Sequence, residues 1–298
     1  MTAPQRPALP GVLMAVGGAV AFSGKAIIVK LSYRYGVDAV TVIMYRMLFA
    51  LPLFALLSWW SGRGKPALTF HDWRVLAGLG FSGYYLASFL DFAGLQYIGA
   101  SLERLILYLN PTIVLGVGLV LYQRKVTRSQ WTALALSYLG VLVVFGHDAS
   151  VSGSDAVLGA ALVFGSAVSY ALYLVFSGEA VKRIGVLRLT GTATGIACVL
   201  CIAQFFLLRP VSAMIVAPEV IWLAMINATL CTLLPVLLVM MAVERVGASV
   251  ASLAGMAGPV STIFLSVLLL GERLTAWMIA GTVLVISGVW LLTRPRKS

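Results

Sequence analysis

Five ionisable residues lie inside stretches of sequence that are otherwise apolar: Lys25, Arg46, Asp91, Glu103 and Arg104. An ionised side chain at the centre of a membrane helix costs about 2.5–3.5 kcal/mol, so charges at this depth usually form ion pairs or take part in binding. Lys25 is near one end of its stretch, where its long side chain could reach the membrane interface. Arg46 lies too deep in its apolar stretch for its side chain to reach the membrane interface.

Asp91 and Arg104 stand on either side of a short turn near Ile98, each six or seven residues from it. We therefore expect the two side chains at similar depth on antiparallel neighbouring helices, where they could form a salt bridge. Two interpretations follow. In the first, the pair is structural, makes both charges tolerable and fixes the hairpin. Alternatively, a substrate with both an ammonium and a carboxylate competes for the pair, which favours amino acids.

Polar residues recur at helical spacing next to these charges and predict polar faces on two adjacent helices. These faces carry Tyr84, Ser88 and Asp91 on one helix, and Ser101, Arg104, Tyr108 and Thr112 on the next. Two such faces would line one aqueous cavity. Tyr85, Tyr170 and Tyr173 could contact apolar or aromatic parts of a substrate, or could serve as interfacial anchors and packing residues.

Nothing in the sequence predicts a metal, a cofactor or catalysis. Cys198 and Cys201 form a C-x-x-C pattern, but no histidine or acidic residue lies near them. No phosphate-binding pattern of the G-x-x-x-x-G-K type occurs, so direct coupling to ATP is not expected. An intramembrane enzyme would need a paired acid and base or a metal constellation, and we expect none here.

Composition identifies lipid as the main solvent for this chain. Of its 298 residues, 61% are hydrophobic and 10% are charged, whereas soluble domains have about 25% charged residues. The apolar residues form stretches long enough to cross a bilayer. They predict an all-α membrane protein with ten transmembrane helices, at 9–30, 39–60, 73–96, 99–122, 131–147, 156–177, 188–208, 219–242, 248–270 and 277–293.

The positive charges orient these helices. Fourteen lysines and arginines fall on the side that holds the N-terminus and four on the other side, which are Lys30, Arg34, Arg209 and Arg273. Positive charge accumulates in cytoplasmic loops, so both termini are expected in the cytoplasm. The formal net charge of +11 is therefore a topological signal, and no nucleic-acid partner is expected.

A shift of 148 residues aligns the two halves of the chain. Ile98-Gly99-Ala100-Ser101 aligns with Val246-Gly247-Ala248-Ser249, and Pro111 aligns with Pro259. The repeats are residues 1–148 and 149–298. Because each contains five predicted helices, an odd number, the second repeat should enter the membrane from the opposite side, giving an inverted pair around a central cavity.

Two prolines lie at equivalent places in the repeats, in the middle of the fourth and ninth predicted helices. Pro111 follows Asn110 and Pro259 follows Gly258. Each proline removes a backbone donor and releases the carbonyl four residues earlier. Interrupted helices at matching positions point to the binding site of inverted-repeat transporters, although a simple kink is the other interpretation. We expect these four residues to bend the helices where gating occurs.

These motifs resemble the EamA branch of the drug/metabolite transporter superfamily. The resemblance rests on Gly247-Ala248-Ser249, Pro259, the segment 270–275 with sequence LGERLT, and Gly281 with Gly288. The first half shows Gln123-Arg124 where the family commonly has Gly-Glu.

The resemblance implies export of small metabolites by alternating access through a bacterial inner membrane. Within the branch, the chain is most similar to exporters of aromatic amino acids of the YddG type. Export of drugs or other metabolites is the alternative. Proton coupling through Asp91 or Glu103 and facilitated flux both stay open, and a monomer is the simpler expectation because two fused halves already supply what a dimer would.

Overall fold

The computed structural model describes residues 8–122, 128–246 and 257–293, and these residues are almost entirely helical. We label the helices in chain order. They are α1 (Ala8–Tyr33), α2 (Ala39–Gly62), α3 (Phe70–Gly94), α4 (Ala100–Leu107 and Asn110–Tyr122), α5 (Arg128–Ser152), α6 (Ser154–Ile184), α7 (Val186–Leu208), α8 (Pro218–Ala228, Thr229–Leu233 and Leu234–Val246), α9 (Ala257–Leu270) and α10 (Ala276–Thr293).

Within the described ranges, seven helical stretches are long and apolar enough to cross a membrane, and three further apolar stretches are shorter. The shorter ones are Trp131–His147, Ala257–Leu270 and Ala276–Leu291. The predicted all-helical, multi-pass class is therefore confirmed. The Gly247-Ala248-Ser249 and Gln123-Arg124 motifs lie outside the described residues, as does the start of the predicted ninth span.

Local sequence sets several helix ends. Asp38 caps α2 by accepting hydrogen bonds from the backbone N–H of Thr41 at 3.1 Å and from its hydroxyl at 2.5 Å. Thr69 and Asp72 form a capping box at the start of α3. The hydrogen bonds from Thr69 lower the pKa of Asp72, and Arg183 contributes further to this shift. These caps fix the entry points of α2 and α3 at opposite ends of the bundle.

The N-terminus of α4 is capped by a side chain from the other half of the chain. Glu272 Oε1 accepts the Ala100 N–H at 2.8 Å, and Oε2 accepts the Ser101 hydroxyl at 2.9 Å. A carboxylate at this position also opposes the positive end of the helix dipole. Gly99 leaves room for it, because a Cβ there would lie 3.0 Å from Glu272 Oε1. The acidic residue of the Leu-Gly-Glu motif thus joins the end of α9 to the start of α4.

Glycines allow the helix backbones to approach closely. A Cβ on Gly281 of α10 would lie 2.5 Å from the carbonyl oxygen of Gly140 in α5. On α7, a Cβ at Gly191 would lie 2.8 Å from the backbone nitrogen of Ser58 in α2. Without a strong hydrophobic drive between helices in lipid, this close van der Waals contact is a main source of association.

The 148-residue shift relates contacts as well as sequence. Gly11 packs on Val246, and their repeat counterparts Gly159 and Ile98 pack in the same way. The nearest side-chain atoms would lie 2.5 and 2.7 Å from a Cβ on Gly11 and Gly159 respectively. Further contacts pair in the same manner: Gly17 on Leu238 with Gly165 on Leu90, and Gly140 on Gly281 with Gly288 on Ala133. Each half therefore presents equivalent surfaces to the other.

Two short π-helical turns also occupy equivalent positions. One lies in α3 at Phe81–Leu86 and the other in α8 at Thr229–Leu233, 148 residues further along the chain. A π turn inserts an extra residue and changes the face on which the following side chains lie, and such turns often occur at functional sites. These turns contain Tyr84, Tyr85 and Thr232.

Substitution of Gly281 by alanine tests the close packing of α5 against α10. The added methyl group would lie 2.3 Å from a methyl carbon of Val144 and 2.5 Å from the Gly140 carbonyl oxygen, so the helices must separate. We expect a loss of about 1–3 kcal/mol, seen as a lower unfolding temperature of the purified protein in detergent. Gly146→Ala is the matched control, because a Cβ there meets no atom within 4 Å. Equal unfolding temperatures for the two variants would contradict this packing.

Candidate functional site

The first part of the candidate site is a cluster of buried charges contributed by α1, α3 and α4. Lys25 Nζ donates to Asp91 Oδ2 at 2.5 Å and lies 3.4 Å from Glu103 Oε1. The three residues are 6%, 2% and 0% exposed. Two carboxylates therefore share one ammonium away from water. We call Lys25, Asp91, Glu103 and the adjacent Arg104 the charge cluster.

Arg104 is held by hydroxyl groups instead of a carboxylate. Its Nε donates to Thr262 Oγ1 at 3.0 Å and its Nη2 donates to Ser23 Oγ at 3.0 Å. Its guanidinium carbon lies 4.9 Å from the centroid of the Phe22 ring, a cation–π distance. Arg104 thereby connects α4 to α1 and α9.

The same hydroxyl groups reach the glycine that precedes Pro259. Ser23 Oγ donates to the Gly258 carbonyl at 2.9 Å, and Thr262 Oγ1 donates to the same oxygen at 3.1 Å. From α4, Tyr108 approaches Gly258 as well, since a Cβ there would lie 3.2 Å from the Tyr108 hydroxyl. The Gly258-Pro259 segment is therefore in contact with α1 and α4 through polar groups.

Helix α4 is interrupted at the predicted place. Its first segment ends at Leu107, and the second begins at Asn110 with Pro111 as its second residue. The interruption therefore lies next to Pro111. Asn110 is half-buried, and Pro111 itself is exposed on the outside of the described bundle. In α9 the described residues begin at Ala257, so the residues before the Pro259 break lie outside them.

Arg46 lies in a second buried polar site formed by α2 and α8. Its Nε donates to Thr232 Oγ1 at 3.2 Å, and Thr232 Oγ1 donates to the Asn227 carbonyl at 2.8 Å. The guanidinium carbon lies 5.1 Å from the centroid of the Phe92 ring, next to Asp91 in sequence. Arg46 is 6% exposed and Asn227 is 1% exposed.

The predicted tyrosines form a third group between α3 and α6. The hydroxyls of Tyr84 and Tyr173 are 3.2 Å apart, and the Tyr170 and Tyr173 rings stack with centroids 5.5 Å apart. Tyr85 lies elsewhere, against Phe81 with ring centroids 5.3 Å apart. Ser88 is half-buried on α3. The predicted polar face of α3 is thus divided, with Tyr84 in the tyrosine group and Asp91 in the charge cluster.

Two predictions from the sequence are wrong. Asp91 does not pair with Arg104; its ion-pair partner is Lys25, because the long side chain of Lys25 reaches Asp91 from α1. Lys25 does not extend to the membrane interface, since two acids inside the bundle offset its charge. Both errors arise from considering only neighbours in sequence, whereas Lys25 is 66 residues from Asp91.

The sequence analysis also missed several residues of these sites, namely Ser23, Asn227, Thr232 and Thr262. Their individual types carry no signal, since hydroxyl and amide groups are common in membrane helices. The 148-residue shift did offer a signal, because Thr232 is the counterpart of Tyr84 and Phe22 is the counterpart of Tyr170. The candidate list could have been extended across the repeat.

A cavity of about 830 Å³ lies near the charge cluster, at the end of the bundle where α3 meets α4. Its lining residues are Lys30, Tyr33, Arg34, Gln96, Gly99, His147, Leu270, Glu272, Arg273, Thr275 and Met278. Lys30 Nζ donates to the Leu95 and Ile98 carbonyls at 3.1 and 3.0 Å. Arg34 Nη2 donates to the Leu270 carbonyl at 2.7 Å. Cations of α1 therefore cap the C-terminal ends of α3 and α9.

The described residues contain no group of three or more histidine, cysteine, aspartate or glutamate side chains arranged to hold a metal ion. Cys198 and Cys201 are buried free thiols, and the Cys198 thiol lies 3.5 Å from the sulfur of Met47. They pack in the hydrophobic core formed by α2 and α7.

Comparison with known proteins identifies the family. The model of the EamA-like transporter family matches this chain twice, at residues 9–146 and 157–294. This chain belongs to the EamA-like transporter family. The two matches begin 148 residues apart, which is the shift found within the sequence. As a member of this family the chain is a membrane transporter, in agreement with the resemblance of its motifs.

Individual relatives agree with the family assignment. The chain is 32% identical over 288 residues to the uncharacterized transporter YcbK of Bacillus subtilis, covering 93% of this chain and 90% of the relative. It is 24% identical over 219 residues to the uncharacterized transporter YoaV of the same organism, covering 74% and 73%. A solved crystal structure of a protein aligns with a TM-score of 0.64 at 16% identity, over 96% of this chain and 98% of that one. That likeness establishes the shared fold.

A double-mutant cycle tests the Lys25–Asp91 ion pair. Lys25→Met leaves Asp91 and Glu103 buried without their cation, and breaking a buried pair in this way costs about 3–5 kcal/mol. Asp91→Asn in the same protein removes one of these charges. We therefore expect the double variant to lose clearly less stability than the sum of the losses in the two single variants. Unfolding temperatures in detergent measure this, with Lys25→Arg as the charge-conserving control. Strictly additive losses would contradict the pairing.

Proposed function

We propose that this EamA-like transporter exports amino acids across a bacterial inner membrane by alternating access, and that the charge cluster and Arg46 form its binding region. The proposal extends the family assignment in four respects: the arrangement of the halves, the orientation in the membrane, the gating elements and the substrate.

The proposed architecture is ten membrane-spanning helices in two inverted repeats, residues 1–148 and 149–298, around a central cavity. The two family matches at the same 148-residue offset support it. So do the paired contacts of Gly11 with Val246 and of Gly159 with Ile98, since reciprocal contacts are what an approximate two-fold axis between the halves would generate. With five helices in each half, such an axis lies in the membrane plane.

The proposed orientation places both termini in the cytoplasm. Lys30, Arg34 and Arg273, predicted for the outer side, line one cavity at one end of the bundle. At the other end the loop after α2 meets the loop between α6 and α7, where Arg188 donates to the Pro66 carbonyl at 2.9 Å and Arg183 pairs with Asp72. This segregation of charges supports the orientation predicted by the positive-inside rule.

Gating is proposed to involve the contacts between halves at the outer end. Glu272 caps α4, and Arg34 contacts the end of α9. Opening this end would require both contacts to release, while the interruption at Pro111 and the polar contacts around Gly258 allow the helices to bend. Release of the two contacts and bending at Pro111 and Gly258 are the kind of movement that alternating access between two repeats requires.

The substrate class rests on one observation: buried groups of both charges lack hydrogen-bond partners among the described residues. Asp91 Oδ1 and both Glu103 oxygens accept no hydrogen bond, although Lys25 Nζ forms an ion pair with Glu103 Oε1 at 3.4 Å, and Arg46 Nη1 donates none. Buried polar atoms normally have hydrogen-bond partners, so several buried atoms without a partner indicate a site for a ligand. An amino acid supplies an ammonium for the carboxylates and a carboxylate for a guanidinium. Tyr84, Tyr170 and Tyr173 are proposed to contact its side chain.

Transport by the purified protein in liposomes tests this function. We expect efflux of labelled aromatic amino acids that is inhibited by other amino acids and lost on Asp91→Asn, by about tenfold or more, since an ionic hydrogen bond is removed. Asp155→Asn is the matched control, because Asp155 is an exposed acid at the start of α6. Inhibition by cationic drugs without a carboxylate, combined with no effect of amino acids, would assign the chain to drug export instead.

A further inference from the structure

Arg46 is a buried cation without an acidic partner. Five charged residues are buried in the interior of the described bundle, of which three are cations and two are acids. Lys25 is paired with both acids. Asp72, a sixth buried charge, lies at the other end of α3 and pairs with Arg183. Arg46 forms no ion pair with a carboxylate of the described residues, and a buried charge without an ion-pair partner is costly.

Arg46 and Asn227 each leave buried hydrogen-bonding atoms without a partner among the described residues. Arg46 Nε donates to Thr232, whereas its Nη1 is buried and has no partner among the described residues. Asn227 is 1% exposed, and neither its Nδ2 nor its Oδ1 has a partner there. Thr232 connects the two residues, because it accepts from Arg46 and donates to the Asn227 backbone carbonyl.

The π turn of α8 brings these groups together. Asn227 precedes the turn and Thr232 lies within it, five residues further on. In a regular α-helix, residues five apart do not lie on the same face. The turn therefore allows the Thr232 hydroxyl to donate to the Asn227 carbonyl while it accepts from Arg46 of α2. A π turn at a polar, buried position is a frequent feature of binding sites.

Arg104 differs from Arg46 in its surroundings. Two of its nitrogens donate to Thr262 and Ser23, and its guanidinium lies against the Phe22 ring. Arg104 thus has a structural role in joining three helices, whereas Arg46 keeps a buried nitrogen, Nη1, that has no hydrogen-bond partner among the described residues.

We infer that Arg46 and Asn227, supported by Thr232, bind the carboxylate of the transported molecule, an inference that rests on the proposed function. A guanidinium and an amide can each donate to one oxygen of a carboxylate, and charge-assisted hydrogen bonds of this kind are among the strongest in proteins. A carboxylate presents two oxygens to these two donors and brings a single negative charge. A phosphate dianion would bring a second negative charge into an interior that already holds Asp91 and Glu103. The recognised group is therefore a monocarboxylate.

Binding of three related probes to the purified protein in detergent tests the site. The probes are phenylalanine, 3-phenylpropionate, which lacks the ammonium, and phenethylamine, which lacks the carboxylate. We expect phenylalanine and 3-phenylpropionate to bind in calorimetric titrations and phenethylamine not to bind. Inorganic phosphate should not displace 3-phenylpropionate. Binding of phenethylamine with the affinity of 3-phenylpropionate, or displacement by phosphate at lower concentration than by phenylalanine, would overturn the inference.

Variants locate the site. We expect Arg46→Gln and the near-isosteric Asn227→Leu to weaken 3-phenylpropionate binding by about tenfold or more, as loss of a hydrogen bond to a charged group implies. Asn227→Leu keeps Arg46, so it gives a result even if Arg46→Gln fails to fold. Asp155→Asn is the control and should bind normally. Wild-type affinity in Asn227→Leu together with wild-type affinity in Arg46→Gln or Arg46→Lys would overturn the site.

The outcomes separate this inference from the proposed function. If the carboxylate probes bind in a manner that depends on Arg46 and Asn227 but no amino acid is transported, the carboxylate site stands and amino-acid export is wrong. If amino acids are transported by Asn227→Leu and Arg46→Lys at the wild-type rate and affinity, export stands and the carboxylate site is wrong.

Discussion

The ion pair between Lys25 and Asp91 is the interaction on which the buried charges of α1, α3 and α4 depend. Burial of either charge without the other would be costly, because an isolated charge inside a membrane protein is expensive. Their contact at 2.5 Å links α1 to α3, and Glu103 of α4 lies next to the same ammonium. Arg104 then extends the connection from α4 to α1 and α9. One set of charges thus joins helices from both halves of the chain.

The charge cluster makes two symmetric halves chemically different. Lys25 has Tyr173 as its repeat counterpart, and Arg46 has Thr194. Asp91 and Arg104 correspond to Val239 and Ser252, which carry no charge. The backbone contacts repeat across the halves, including the glycine contacts and the π turns, but the side chains at the sites do not. Repetition of the backbone contacts suits the proposed alternation between two states, whereas a single substrate needs only one set of charged contacts.

Much of the fold could be predicted because its causes are local or periodic. Apolar stretches gave the helices within a few residues, except that α6 extends to Ile184, beyond the predicted end at residue 177. The interruption at Pro111 followed from the chemistry of proline. The π turns could not be predicted, since no residue type requires them. Nor did the sequence indicate that Glu272 caps α4, because the two are 172 residues apart.

The sequence by itself determined that this chain is a helical membrane protein with an internal repeat and a small set of charges inside it. Composition and repetition are properties of the chain, and lipid imposes the same requirement on every stretch. Only the tertiary structure decided which charges pair. Lys25, Asp91, Arg46 and Thr232 lie on different helices, and the energy of a buried pair depends on distances of a few ångströms. Those distances are set by how helices far apart in sequence pack, which no local pattern encodes.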